Sequence, residues 1–159
     1  MTTSAAGTVV REQAAPEFKF PLGNHGRLKA GRGDGMAFGF LRTELPEGTG
    51  MPLLHVHRSM DEAFEILRGS VQYRLGGDYV TVSEGDSVLV PAGVPHCFRA
   101  LGASGASILL ITSPAEGIDL IAELSRGNPF DVQWAAALVA RYDTEFLETR
   151  PSWEPPVAR

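Results

Sequence analysis

The sequence predicts an all-β domain, a barrel or sandwich, with a short helical extension at its C-terminal end. Three observations predict it. Short apolar runs recur between Met36 and Ser113, separated by Gly- and Pro-rich turns such as Gly76-Gly77-Asp78 and Pro91-Ala92-Gly93. Within the runs apolar and polar residues alternate, as Val71, Tyr73 and Leu75 do with Gln72 and Arg74. Beyond Pro114 the spacing turns helical, with Ile118, Ile121 and Ala122 falling on one face.

The elements follow in order. Phe18, Phe20, Pro21 and Leu22 form the first piece able to pack, ahead of a short strand over 28–30 and a glycine-rich turn over 31–35. Residues 36–45 read as a strand with Met36, Phe38 and Phe40 on one face. A loop over 48–52 leads into a strand over 53–57, and further strands fall at 62–67, 71–75 and 79–82. Val88, Leu89 and Val90 read as a short buried strand, followed by strands over 96–100 and 107–112. One helix is expected over 118–124, stopped by Gly127, and a second over 132–142, capped by Asp131. Its predicted stripe is Trp134, Leu138 and Tyr142, with Phe146 and Leu147 returning as an extended segment.

At 159 residues the chain is one domain by length, read as a flexible tail over 1–15, a barrel over 16–113 and helices with a tail over 114–159. A hydrophobic content of 43% is enough for a packed core. The net charge of −5, with Lys and Arg scattered, argues against nucleic acid or an anionic membrane as partner. A single cysteine, Cys97, excludes an intrachain disulfide. No apolar stretch is long enough to span a bilayer, and the first residues lack a basic region followed by an apolar core. A cytoplasmic location is therefore expected.

The chemistry concentrates in residues 48–69. His55 and His57 are two apart, so an extended strand turns both imidazoles to one face. Residues 58–61 allow a tight turn, which brings Glu62 back opposite them on the next strand. Phe64 and Ile66 share the face of Glu62, so its carboxylate sits at the edge of an apolar interior, where a raised pKa would suit a base. His96 opens a later strand and is the candidate fourth ligand, with Cys97 facing the other way. Three imidazoles and a carboxylate suit one divalent transition metal: Fe, Mn, Ni, Co, Cu or Zn. Met51, Leu53, Phe64 and Phe98, with Phe38 and Phe40, are the candidate lining of an apolar substrate pocket.

Two motifs carry a family resemblance. In the first, His55-x-His57 is followed by four residues, Glu62, six residues and Gly69. In the second, Gly85 is followed by five residues, Pro91-x-Gly93, two residues and His96. Fifteen residues, 70–84, separate them. The pair resembles the two signatures of the cupin superfamily, over about Met36 to Ser113. Two positions depart from the pattern: the leading glycine is Gly48 or Gly50, off by one, and Ala100 stands where the family has Asn. The helical tail makes the chain similar to small single-domain cupins of the bacterial quercetin dioxygenase type.

The resemblance implies a double-stranded β-helix, or jelly-roll barrel, and a metal held by His55, His57, Glu62 and His96. It implies an oxygenase acting on a small aromatic or enolic molecule, with Glu62 as the catalytic base; a homodimer, formed through a sheet face or an exchanged N-terminal strand, is expected. The alternatives are a non-oxidative metal-dependent cyclase, isomerase or lyase, and a non-catalytic domain that binds a small molecule.

Overall fold

The computed structural model describes residues 7–128, 131–151 and 153. Two antiparallel sheets face one another. One runs in the order β1 (Glu17–Lys19), β2 (His25–Ala30), β3 (Gly39–Leu45), β10 (Ala106–Ser113), β5 (Asp61–Arg68), β8 (Ser87–Val90). The other runs β11 (Thr144–Phe146), β4 (Gly50–His57), β9 (His96–Leu101), β6 (Ser70–Leu75), β7 (Asp78–Ser83). Helices α1 (Glu116–Arg126) and α2 (Val132–Ala140) lie between β10 and β11. No helix among the described residues is long and apolar enough to cross a membrane.

Alternation decides what enters the core. On β5 Glu62, Phe64 and Ile66 are buried, while Glu65 turns outward onto Ser87. On β6 Val71 and Tyr73 are buried, and on β9 His96, Phe98 and Ala100 are. Phe64, Tyr73 and Phe98 meet with ring centroids 5.3 Å apart, an aromatic cluster that ties the two sheets together. Ala100, in the position where the family pattern has Asn, is buried, and its backbone instead pairs with Gly48 and Thr49.

β3 has the opposite parity from the one the sequence suggested. Leu41, Thr43 and Leu45 face inward, and Phe38 and Phe40 lie on the outer side, 6.3 Å apart. Register is the cause. β10 sets its buried Leu110 opposite Leu41 and its buried Ile108 opposite Thr43, and directly opposed residues share a face. Similarly, β8 alternates instead of being wholly buried: Val88 and Val90 point in and Leu89 points out.

Gly69 joins β5 to β6 at φ +80, and a Cβ there would strike the Gly105 carbonyl oxygen. At the other end of the barrel α1 and α2 form a second apolar cluster, in which Leu120, Leu124, Ala135, Leu138 and Val139 pack around Met60. The Asp131 carboxylate caps α2 by accepting the Trp134 N–H at 3.0 Å. The helix buries Ala135, Leu138 and Val139, with Trp134 only packed against their edge. The N-terminal stretch docks by a 3₁₀ turn at Glu12–Ala14, where Glu12 pairs with Lys29 and Arg27. Residues 1–6 of the expected tail lie outside the described residues.

Candidate metal centre

Four side chains from three strands meet at one buried point. β4 presents His55 and His57 two residues apart, and β9 presents His96 directly opposite His55. Glu62 comes across from β5 in the facing sheet. All four are buried, and one ligand atom from each lies within 4.8 Å of the others. Donors about 2.1 Å from a common ion sit at most about 4.2 Å apart, so the widest pair needs to close by only about half an ångström.

The hydrogen bonds around the imidazoles orient them for that purpose. His55 Nδ1 lies 2.8 Å from the Leu53 carbonyl and His96 Nδ1 lies 3.0 Å from the Val94 carbonyl. A carbonyl only accepts, so each Nδ1 carries the proton. His57 Nδ1 lies 2.7 Å from Thr144 Oγ1, whose own proton goes to the Tyr142 carbonyl at 3.1 Å. Thr144 therefore accepts from His57. All three rings then turn an Nε2 lone pair toward the centre, the tautomer a metal requires.

Left to themselves these groups repel. His96 Nε2 is 2.8 Å and His57 Nε2 is 3.4 Å from Glu62 Oε2. A lone pair facing a carboxylate at that distance requires positive charge between them, from a proton or from a cation. Burial pushes the His55 imidazole down to about 3, helped by neighbouring His96 and His57, which keeps it neutral as a ligand must be. Burial would also raise Glu62, but hydrogen bonding with His57 and His96 outweighs it and holds the carboxyl well below its usual range. The raised pKa expected from its apolar surroundings is thus reversed by the imidazoles beside it. His96 is moved down by burial and up more strongly by Glu62, and ends raised. The donor set fits a divalent transition metal.

Residues 41–112 match the family model of the cupin domain. Over that stretch the chain is similar to the cupin domain. Solved structures agree on the fold. KdgF from Halomonas is 17% identical with a TM-score of 0.60, covering 71% of this chain and 99% of its own. A sugar phosphate isomerase of the cupin superfamily from Silicibacter pomeroyi is 18% identical with a TM-score of 0.57, covering 67% and 75%. Oxalate decarboxylase from Bacillus subtilis is 23% identical with a TM-score of 0.55, covering 70% of this chain but 31% of its own. No curated protein matches the sequence.

The ligand cluster opens onto a cavity of about 350 Å³. Met51, Leu53 and Phe98 line it, whereas Phe64 is buried in the core outside the lining and Phe38 and Phe40 sit on the outer face. Most of the wall comes from elsewhere: Phe18 on β1, Phe20 and Asn24 between β1 and β2, Leu120 and Val139 on the helices, and Thr144 and Phe146 on β11. Among the described lining residues there is no Lys or Arg, and Glu62 is the one acidic group. Arg42, Arg74 and Arg99 all engage partners elsewhere: Glu44, Glu148 and the Trp153 ring respectively. Phe146 approaches His55 edge-on at 6.5 Å. The only sequence signal for this C-terminal contribution was the apolar pair Phe146 and Leu147 after the second helix.

Proposed function

We propose that the protein is a metal-dependent cupin enzyme acting on a small, neutral, mostly apolar molecule that carries an enol or phenol. The observation that carries this reading is the set of three Nε2 lone pairs and one carboxylate converging on the wall of an apolar cavity. His55, His57, His96 and Glu62 would hold the ion. When bound, a divalent metal there supplies Lewis acidity to a coordinated oxygen and, if redox-active, access to O2.

The remaining work belongs to the chain. The apolar wall strips water from the substrate and aligns its ring face, which strengthens every polar contact at the ligand cluster. Glu62 is the base at hand: its ionised carboxylate would accept the enol or phenol proton. Phosphate or dicarboxylate substrates, such as those that name two structural neighbours, would find no Lys or Arg in the described lining.

Dioxygenation is the first choice of reaction, in line with the resemblance to quercetin dioxygenase-type cupins. Metal analysis of protein purified without added metal, followed by O2 uptake with flavonols and other enolic aromatics, tests it. Uptake that requires the loaded metal is expected. Turnover that proceeds anaerobically with Zn moves the assignment to a cyclase, isomerase or lyase. Tight binding without product makes the domain a binding module.

A further inference from the structure

Among the described residues, three buried polar side-chain atoms lack any hydrogen-bond partner: Asn24 Oδ1, Tyr73 Oη and Thr112 Oγ1. Tyr73 and Thr112 belong to the packed interior, but Asn24 lines the cavity. Its orientation is set by chemistry. Nδ2 lies 3.0 Å from the Gly50 carbonyl, which can only accept, so the amide nitrogen faces Gly50 and the oxygen faces away. The loop is held in place as well, since the Phe20 N–H donates to the Asn24 carbonyl at 2.8 Å and the Gly23 N–H to the Phe20 carbonyl at 2.9 Å. Asn24 is 7% exposed. An amide oxygen this deep without a donor carries an uncompensated desolvation cost, which a ligand donor would recover.

Position gives the acceptor its meaning. Asn24 is fastened to Gly50 at the start of β4, whereas His55 lies five residues further along the strand. The register against β9 shifts between Met51 and His55, so the step from the Gly50–Arg99 pair to the His55–His96 pair is only three residues of β9, about 10 Å. The cavity therefore has a ligand cluster toward one end, an apolar body, and a lone acceptor toward the other. We propose that Asn24 Oδ1 recognises a hydroxyl donor on the remote end of an elongated, neutral, largely apolar substrate whose other end meets the ligand cluster. The proposal rests on the reading of this cavity as the substrate site. It excludes substrates with an anionic or acceptor-only remote end, because a lone amide oxygen repels both.

Three probes differ only at the remote position: flavone, 4′-methoxyflavone and 4′-hydroxyflavone. Their affinities are measured by calorimetry on Zn-loaded and on metal-free protein. The 4′-hydroxy compound is expected to bind about 5–10-fold more tightly than either twin, the worth of one buried hydrogen bond. In Asn24→Leu the ratio should fall to about one. Equal affinities in the wild type, or an unchanged ratio in Asn24→Leu, overturn the proposal. Should Asn24→Leu fail to fold, the wild-type ratio and the ¹⁵N side-chain amide signal of Asn24 decide instead, and a signal that moves with flavone as much as with 4′-hydroxyflavone overturns the proposal too. A hydroxyl preference seen in metal-free protein that also fails to take up Zn would leave Asn24 recognition standing and remove the metal-dependent enzyme.

Discussion

Thr144 Oγ1 accepts the Nδ1 proton of His57 across 87 residues of sequence, at 2.7 Å, in a buried contact. β11 makes this possible by pairing antiparallel to β4 with Thr144 opposite His57 and Phe146 opposite His55. The cupin domain match ends at residue 112, so a segment outside it orients one of the ligands.

Thr144→Val keeps the volume and removes the acceptor. His57 Nδ1–H is then buried without a partner, and the ring is freer to turn or to change tautomer. Metal affinity is expected to fall about 10–100-fold, measured by competition with a chromophoric chelator. Thr144→Ser should restore it. Equal affinities in all three proteins would show that Thr144 does no more than fill space.

Glu62→Gln retains an oxygen donor but removes both the charge and the base. Metal occupancy should be reduced but measurable, while kcat falls at least about 100-fold. Undiminished turnover would remove Glu62 from proton transfer. The same variant tests the electrostatic argument, because loss of the carboxylate should return the His96 imidazole toward lower pKa, readable by NMR of metal-free protein.

Gly117 lines the cavity on α1 with no room for a side chain: a Cβ there would strike Met60 Sδ and the Thr112 side chain. Gly117→Val should cost about 1–3 kcal/mol by denaturant titration and shift α1, weakening binding of an apolar probe such as flavone. A variant as stable as the wild type, with unchanged probe affinity, would contradict the close packing of α1 on β10.

The parts of the site that were legible in the sequence depend on strict local periods. His55 and His57 share a face because any strand gives that result, and Glu62, Phe64 and Ile66 follow the same rule. The Asp131 cap and the Gly127 stop are equally local. What was not legible depends on pairing over long separations. The run Phe38-Gly39-Phe40-Leu41 is apolar at both parities, so only the register against β10 decides that Leu41 enters and Phe40 does not. Thr144 and Asn24 reach the cavity through β11 and the loop before β2, and neither has a spacing signature. The lowered pKa of Glu62 is not local either. Its own neighbours on β5 are apolar, but two imidazoles from the facing sheet outweigh them.

Glu44 links three strands and gives the fold an acid-side dependence. Ser107 donates to its Oε1 at 2.8 Å, Arg68 to its Oε2 at 3.3 Å, and Arg42 lies 3.3 Å from Oε1. Burial alone would raise this carboxyl, but the hydrogen bonds from Ser107 and Arg68 outweigh it and lower the pKa below 4.5. The folded state thus binds this proton less readily than the unfolded chain. The stabilisation is fully present above about pH 4.5 and is lost as the pH falls through the folded value. The group is 32% exposed, so solvent screening limits its worth to under about 1 kcal/mol. Glu44→Gln should melt slightly below wild type at pH 7 and together with it near pH 3. At pH 7 the gap should narrow in 0.5 M salt, about the range where surface pairs are screened. A gap that stays constant from pH 7 to pH 3 would mean that the hydrogen bond from Ser107, and not the charge, carries the contribution.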